Sequence, residues 1–510
     1  RRASSVLSVQ GGLSRQLQAI ILISRQRLPS APSSPDPPVP HADAPHRPRA
    51  VASRRRSNAA PPLWRSLWWP LLVLVSALPL YAVLLARPDS RVEGVSVVPL
   101  DGGPHAPRPA AAPSSPGDAP PSSRARQRFT YGMFEDANYV SGTSDFAATV
   151  ADLKARHFDS ILFTNNFTYR DEPLLRVADE LEFGIVFAPH AELSAGWWPA
   201  AAPATLDHAR TVIYPLVDHV RGHPSLMGYS VIDDAPKALA SKITLATQAF
   251  RERDPDRPAG PVLVAGHDEV YRAARPDIAL TYIYPALVVK PPCDFSRHDG
   301  ARTLDAVTER LRQLAVLAEH RVPIWLILQA HGGTKEYDPA HPDGTALREP
   351  TVEEVRLQHW LALGEGVKGI FWFIYSTQQF WTGVRDNPVL RAELTDLAGR
   401  TAPLRGLLPS LRKGEDRVTV SGPADTPAPF RPYVSTLFDE NGGVYVVAAN
   451  RSCSPQQLTL RAPGVRGWLR DVEANRWYRL GTVLTFRGGD GKLFELVPDA
   501  GAISDRGLGR

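Results

Sequence analysis

The segment LMGYSVIDDAP, at residues 226–236, is an apolar and aromatic run that stops at two adjacent carboxylates, Asp233 and Asp234. Its composition is typical of a buried β-strand. In a barrel of parallel strands, catalytic groups stand at the C-terminal ends of the strands. The segment therefore indicates acid/base chemistry at the end of a buried strand. The alternative is that these acids cap the helix that follows, because Asp is a preferred N-cap residue.

Similar runs recur along the chain and predict the fold class. They occupy residues 129–134, 160–165, 184–189, 261–266, 278–285, 324–330 and 369–376. Each is short, continuous and apolar, as expected of parallel strands that are buried on both faces. Amphipathic stretches between them predict helices over 146–157, 173–182, 205–221, 238–253, 304–320 and 351–365. Eight strands with intervening helices predict an α/β fold, a (β/α)₈ TIM barrel at 127–405. A doubly wound sheet is the alternative, but no Gly-rich loop follows the first strand.

The pattern changes after the barrel. Short strand-like runs separated by Gly, Asp, Asn and Pro fill residues 406–502. The Gly-rich segments at 440–443 and 488–491 are typical of hairpin turns. This spacing predicts a small all-β sandwich domain after the barrel.

The N-terminal quarter predicts a membrane anchor. Residues 67–86 carry no charge and are long enough for one transmembrane helix, which we place at 63–87. A cleaved signal peptide is the alternative, but no clear small-residue cleavage site follows. Residues 1–62, rich in Arg, Ser, Pro and Ala, are predicted to be disordered, and 88–126 to form a Pro/Ala/Ser-rich linker. The arginines before the helix predict a cytoplasmic N-terminus, with the later domains periplasmic or extracellular.

Charge and cysteine content exclude other classes. The net charge is +5, and arginines crowd the region just before the predicted anchor. This asymmetry indicates membrane topology, and we expect no nucleic-acid partner because basic residues are not interleaved with aromatics on a predicted domain. The only cysteines, Cys293 and Cys453, fall in different predicted domains. We expect unpaired thiols, although a bridge could form outside the cytoplasm.

The ends of the predicted strands carry the candidate site. They bring together carboxylates, amides, histidines and large aromatic residues. The full set is Glu135, Asp136, Asn165, Asn166, His190, Glu192, Asp233, Asp234, His267, Asp268, Glu269, Tyr282, Tyr284, Gln329, His331, Trp372, Tyr375 and Gln378. Sugar hydroxyls need many hydrogen-bond partners and sugar faces need apolar platforms, so the set suits a carbohydrate ligand. The histidines lack metal-ligand spacing, and we expect neither a metal nor a cofactor.

Three stretches resemble glycoside hydrolases of the β-galactosidase-like type, which include poorly characterised members with a terminal β domain. They are HPSLMGYSVIDDAP (223–236), PIWLILQAHGG (323–333) and REPTVEEVRLQHWLALGEGVKGIFWFIYS (348–376). The resemblance implies that a glycosidic bond is cut between two carboxyl groups, one acting as acid and the other as nucleophile or base.

This chain departs from the family pattern at both acids. Asp233 and Asp234 replace an Asp-Glu pair, or Ala235 replaces the glutamate if the prolines are aligned. The seventh strand ends in Gln329, where the family carries its nucleophilic glutamate. An amide cannot act as a nucleophilic carboxylate, so the second acid must come from elsewhere if the chain is an enzyme.

The catalytic residues that we predict are Asp234 as general acid with Asp233 orienting it, or the reverse, and Glu192 as the partner carboxylate. The predicted sugar-binding residues are Asn165, Asn166, His190, Tyr282, Tyr284, Gln329, His331, Trp372 and Tyr375. Other uses remain open for some of them: Glu192 and His190 could flank a loop, and Trp372 and Tyr375 could fill the core. His267, Asp268 and Glu269 are more typical of a helix start with acids in its first turn.

The predicted function is a membrane-anchored, outward-facing glycoside hydrolase-like protein that acts on a poly- or oligosaccharide. The alternative is a non-catalytic carbohydrate-binding or envelope scaffold protein with a degenerate barrel site. The absent glutamate at Gln329 motivates that alternative, because a site and not a fold determines function.

Overall fold

The computed structural model describes residues 128–264, 266–286, 292–293, 304–318, 321–333, 347–378, 381–427 and 430–499. The predicted disordered segment, membrane anchor and linker lie outside these residues. Among the residues described, no helix combines the length and apolar character needed to cross a membrane.

Eight parallel strands form the barrel, as predicted. They are β1 (Thr130–Asp136), β2 (Ser160–Thr164), β3 (Gly184–Phe187), β4 (Leu226–Ser230), the pair β5 (Ala259–Gly260) and β6 (Val262–Leu263), β7 (Ala279–Ile283), β8 (Ile324–Gln329) and β10 (Gly369–Phe373). The hydrogen-bonded order is β5-β4-β3-β2-β1-β10-β8-β7-β6. Pro261 separates β5 from β6 because it has no N–H to donate. The N–H of Val262 donates to the carbonyl of Ile232 at 2.8 Å, so the two short strands act as the fifth strand and close the barrel.

Helices follow the strands and cover the barrel. They are α1 (Thr143–Ala155), α2 (Thr168–Glu180), α3 (His190–Gly196), α4 (Leu206–Val220), α5 (Ala240–Arg253), α6 (Asp268–Ala274), α7 (Asp305–Leu317), α8 (Val352–Gly364) and α9 (Pro388–Thr401). Short 3₁₀ helices occupy Ala137–Tyr139, Lys237–Leu239, Val384–Asp386 and Ala402–Leu404. The helix α8 begins with a capping box between Thr351 and Glu354, which fixes its start after the polar loop.

Side-chain alternation separates two apolar layers. Phe134, Leu162, Ile327 and Phe371 belong to the cluster inside the barrel. Their neighbours along each strand, including Trp372, pack outward against the helices. This period-two alternation fixes which residues can reach the mouth at the strand C-termini.

Strands after the barrel form an all-β sandwich. A six-stranded sheet has the order β12-β14-β15-β20-β17-β18 and a three-stranded sheet the order β13-β16-β19. The strands are β12 (Arg412–Lys413), β13 (Thr419–Ser421), β14 (Tyr433–Phe438), β15 (Val444–Ala449), β16 (Gln456–Arg461), β17 (Gly467–Asp471), β18 (Arg476–Arg479), β19 (Val483–Phe486) and β20 (Gly491–Pro498). Two further short strands, β9 (Gly332–Gly333) and β11 (Trp381–Thr382), pair above the barrel.

The sandwich is fixed against α8 and α9 by buried polar contacts. The indole N–H of Trp360 donates to Asp490 at 3.1 Å. The guanidinium of Arg400 bonds Asp490 and Glu473, both at 2.8 Å. The hydroxyl of Tyr433 donates to Glu365 at 2.8 Å. Because α8 has the barrel on one side and the sheet on the other, it is buried almost all round, its polar Glu354, Gln358 and His359 included.

The expectation of unpaired thiols is wrong, because Cys293 and Cys453 form a disulfide. Cys293 follows β7 in the barrel and Cys453 follows β15 in the sandwich, with Cα atoms 5.9 Å apart. The two cysteines are separated by 160 residues, so only the folded arrangement brings them together. The bridge adds a covalent link between the two domains.

Removal of this bridge is expected to destabilise the protein. Cys453→Ser should lower the free energy of unfolding by about 2–5 kcal/mol. Without the bridge, the unfolded chain is no longer closed into a long loop and gains conformational entropy. Denaturant unfolding of the full chain measures the change, and reductant should destabilise the natural protein by a similar amount. The Cys293→Ser/Cys453→Ser protein should equal the single variant. Full stability of Cys453→Ser in either condition would contradict a structural role for the bridge.

Candidate active site

Asp233 and Asp234 lie just beyond β4, at the mouth of the barrel. The backbone N–H of Asp233 donates to Nε2 of His190 at 3.1 Å. The N–H of Asp234 donates to Oδ1 of Asp233 at 3.0 Å. Asp234 is exposed and has a φ of 47°. Neither acid caps a helix, since the next helical segments begin at Lys237 and Ala240 and have Pro236 and Leu239 as N-cap residues without a side-chain cap. The capping alternative is therefore wrong.

A second acid reaches the mouth from β1. Asp136 is the last residue of this strand, and its carboxylate accepts the N–H of Asn138 at 2.9 Å and Nδ2 of Asn165 at 3.1 Å. Its register partner on β2 is Thr164. The sequence contains an acid pair, Glu135 and Asp136, at the end of the first strand, but neither is among the predicted catalytic residues. The structure makes Asp136 the carboxylate that accompanies Asp233.

Polar contacts connect the two acids through the ends of β2 and β3. Thr164 Oγ1 lies 3.4 Å from Nδ1 of His190, and Nε2 of the same ring accepts the N–H of Asp233. Burial lowers the pKa of His190 to about 4, so the ring is neutral and carries its proton on Nδ1. We call the set Asp136, Asn165, Thr164, His190 and Asp233 the acidic arc.

Burial and like charge both disfavour ionisation in the acidic arc. The pKa of Asp233 is raised to about 7. Burial is the main cause, and the charges of Asp234 and Asp136 contribute to the same rise. Burial also raises the pKa of Asp136, while the donors Asn138 and Asn165 oppose that change. No cationic side chain of the described residues lowers the pKa of Asp233. One carboxyl is thus held protonated near neutral pH, beside a second that has donors for its ionised form.

Glu135 fixes the end of β1 that carries Asp136. Its carboxylate accepts the N–H of Asp136 at 2.9 Å and the N–H of Ser376 at 3.0 Å. The side chain is only 1% exposed, and burial raises its pKa to about 7. It joins the first strand to the loop that follows β10, and so it positions Asp136 without entering the mouth.

The other half of the mouth is aromatic. Tyr282 stacks on Tyr284 with ring centroids 4.9 Å apart, and Tyr284 contacts His331 at 5.0 Å. His331 in turn lies 4.9 Å from Phe373 and 4.6 Å from Trp381. We call these five residues the aromatic half. Burial lowers the pKa of His331 to about 3, so this imidazole is neutral.

Two predicted sugar-binding amides are engaged elsewhere. The side chain of Gln329 accepts the N–H of Ala286 at 2.7 Å and donates to the carbonyl of Arg348 at 2.9 Å. It holds together the backbone segments that follow β7 and precede α8. Asn166 donates to Asp171 at 3.0 Å and accepts the N–H of Ala188 at 3.2 Å. Both side chains are buried and support loops of the mouth instead of offering free groups to a ligand.

Three other predicted residues are engaged in packing or in hydrogen bonds to neighbouring elements. Trp372 is fully buried on the outer face of β10. The hydroxyl of Tyr375 donates to Asp152 of α1 at 3.1 Å, so this ring also faces the helix layer. Glu192 accepts the N–H of Thr168 and thereby stabilises the start of α2. The structure corrects the predicted placement of Trp372 and Tyr375 in the mouth, and the catalytic role of Glu192 stays a prediction.

The alternation of side chains along β10 explains why Trp372 does not lie at the mouth. Phe371 and Phe373 face the barrel interior, so Trp372 between them faces outward. Phe373 pairs with Gln329 in register, which marks it as a mouth residue. Trp381 carried no signal in the sequence, because it reaches the mouth through the β9–β11 pairing.

The predicted helix start at His267–Glu269 is confirmed, since α6 has Asp268 and Glu269 in its first turn.

One group of potential metal ligands occurs among the residues that the structure covers: Cys293, Glu353 and Cys453. Both cysteines belong to the disulfide and have no thiolate to offer. This group therefore does not suit a metal ion.

Comparison with solved structures supports the fold. A protein described as a glycoside hydrolase aligns with a TM-score of 0.50 and 10% identity, over 73% of this chain and 93% of its own. A family 5 glycoside hydrolase from Bacteroides vulgatus ATCC 8482 has a TM-score of 0.48 and 8% identity, over 74% and 91%. A GH27 β-L-arabinopyranosidase from Geobacillus stearothermophilus has a TM-score of 0.45 and 12% identity, over 76% and 100%.

Such low identity shows the fold alone, and only the first of these alignments bears weight. It supports the expectation of a TIM-barrel fold, and the resemblance to glycoside hydrolases of the β-galactosidase-like type stays a prediction. No protein-family model matches the chain, and no curated protein matches it. The chemistry must therefore be argued from the side chains of the mouth.

Proposed function

We propose that this chain is a glycoside hydrolase that acts on a poly- or oligosaccharide, with Asp233 as general acid and Asp136 as its partner carboxylate. The observation that carries the proposal is the placement of two half-buried acids at one barrel mouth, Asp233 held by His190 and Asp136 held by Asn165. Of the two assignments predicted for these aspartates, this one makes Asp233 and not Asp234 the general acid, because Asp234 is exposed and Asp233 is not. It also replaces Glu192 by Asp136.

The acid step needs a carboxyl that keeps its proton near neutral pH. Asp233 meets this need because burial raises its pKa to about 7. It can donate a proton to the leaving glycosidic oxygen as the bond breaks, and His190 holds its backbone in place. The same step needs an anion that attacks the sugar carbon or activates a water, and the donors Asn138 and Asn165 stabilise the ionised form of Asp136.

The mouth also offers a surface for the sugar. Tyr282, Tyr284, Phe373 and Trp381 present rings opposite the acidic arc, and pyranose faces pack on such apolar platforms. Asn165 lies at the same edge and donates to Asp136, so it can also contact hydroxyls near the reacting carbon. The separation of the reacting carboxyls would set the outcome, ~5–5.5 Å for retention and ~6.5–9.5 Å for inversion.

One observation favours a second candidate function, which is binding of carbohydrate without hydrolysis. The seventh barrel strand ends in Gln329, and this amide is committed to backbone groups around it. A barrel that lost its family nucleophile can retain the aromatic half and still bind sugars. The two functions differ in product release, because only the enzyme forms new reducing ends.

Replacement of either proposed catalytic acid should abolish hydrolysis. Incubation of the purified chain with plant, bacterial and exopolysaccharide glycans should release reducing sugars. Asp233→Asn and Asp136→Asn should each lower the rate by about 10²–10⁴-fold. The rate of the natural protein should fall above about pH 7, because Asp233 loses its proton there.

Asp234→Asn is the matched control for this experiment. The residue is adjacent to Asp233, and Asn tolerates the positive φ at this position. This variant should keep its activity within a few-fold, with the basic limb of the pH profile moved to lower pH. Undiminished release by Asp233→Asn would overturn the assignment of the acid. Glycan affinity with no release by any of the proteins would favour the binding function.

We also propose that the predicted N-terminal helix anchors the chain in a membrane, with the barrel and the sandwich facing outward. The disulfide supports this location, because such bonds persist mainly outside the cytosol. Protease added to cells whose outer membrane, if present, has been permeabilised should digest the barrel, and a cytoplasmic marker protein should survive. Protection of the barrel until the inner membrane is also opened would contradict the outward orientation.

A further inference from the structure

The β17–β18 hairpin of the sandwich exposes two large aromatic side chains. Trp477 is 51% exposed and Trp468 is 39% exposed. Trp468 lies opposite Arg479 and Trp477 lies opposite Arg470 in the strand register. Leu469, between Trp468 and Arg470, is buried in the sandwich core. The two indoles and the two guanidinium groups therefore share the outer face of the hairpin.

The two indoles are diagonal neighbours on adjacent strands, where side chains lie roughly 7–8 Å apart. The guanidinium of Arg479 stacks over the ring of Trp468 at 5.0 Å and restricts its orientation. Because β18 is the edge strand of its sheet, this face is open along one side. We call Trp468, Arg470, Trp477 and Arg479 the tryptophan face.

Charge on this face selects the class of ligand. Arg470 donates to Glu495 at 2.7 Å, and Arg479 donates to Asp499 at 2.7 Å and 3.0 Å. Both guanidinium groups are thus neutralised by neighbouring acids. An anionic ligand or membrane surface would need unpaired cations beside the rings. A neutral ligand needs apolar platforms with polar groups around them, and paired Arg and acid side chains provide those groups.

The tryptophan face is remote from the candidate active site. Ala474, in the turn between β17 and β18, lines a groove of about 580 Å³ together with His157 and Arg400. His157 precedes β2, so this groove lies at the N-terminal end of the barrel strands. The acidic arc lies at the opposite end. Ligand at the tryptophan face could not reach the mouth residues directly.

We propose that the tryptophan face binds a neutral polysaccharide chain, as a second carbohydrate site separate from the barrel mouth. Two indoles at this spacing can contact neighbouring sugar rings of one chain, and the ion pairs can donate to and accept from its hydroxyls. The choice of a glycan rests in part on the proposed function. The sandwich is rigidly joined to α8 and α9, so the bound polymer would be held at a fixed position relative to the barrel.

Depletion binding to insoluble polysaccharides tests this site. The full-length chain in mild detergent is used as its Asp233→Asn variant, which should not consume the support. Cellulose, chitin, mannan and β-1,3-glucan are the neutral probes. At least one of them should retain the protein, and Trp477→Ala should weaken that retention about tenfold or more. Trp477→Tyr should restore most of it, because a ring remains.

Val483→Ala provides the control, since Val483 is 57% exposed on the other sheet of the same domain. This variant should bind like its parent. Equal retention of Trp477→Ala, or no retention on any neutral polysaccharide, would overturn the proposal. So would binding confined to polygalacturonate or to phosphatidylglycerol vesicles, or a dimer that Trp477→Ala converts to a monomer. Failure of the barrel to hydrolyse glycans leaves these readouts unchanged, which separates the two proposals.

Discussion

The carboxyl group of Asp233 is desolvated beyond the end of β4, the charges of Asp234 and Asp136 act on it, and no cation of the described residues offsets them. Two acids that repel each other in a desolvated mouth cannot both ionise easily. This electrostatic repulsion would only destabilise a barrel whose role was purely structural. It becomes useful if one group must donate a proton while its neighbour stays charged.

The remainder of the mouth supports that pair. Neutral His190 holds the backbone of Asp233, and Glu135 ties the end of β1 to the loop after β10. Gln329 fastens the loops on the aromatic side. The sandwich adds rigidity from outside, through Arg400, Asp490 and the disulfide. Buried polar groups that are fully bonded in this way fix geometry more than they add stability. The site is therefore built by loops that are held from several directions.

The sequence allowed the barrel to be predicted because each strand is a short apolar run, and every one of these runs forms a strand. The face of the strand to which each side chain belongs was harder to predict. Trp372 and Phe373 are adjacent, and only the register decides that the phenylalanine faces inward. The contact of Glu192 with the N–H of Thr168 joins two separate loops, and the sequence pattern gives no sign of it. Asp136 and the disulfide depend on contacts between distant segments, which periodicity does not report. Asp233 and His190 could be placed at the mouth from the sequence, because each comes shortly after a clear strand.

Titration of the Asp233 carboxyl tests the account most directly. Carbon-13 NMR of protein labelled at the aspartate Cγ would follow this group, with Asp233→Asn identifying its signal. The account predicts a pKa of about 7 in the natural protein and a lower value in Asp136→Asn, where the like charge is gone. An ordinary pKa of about 4, or a value that Asp136→Asn leaves unchanged, would show that the two carboxyls do not share one mouth.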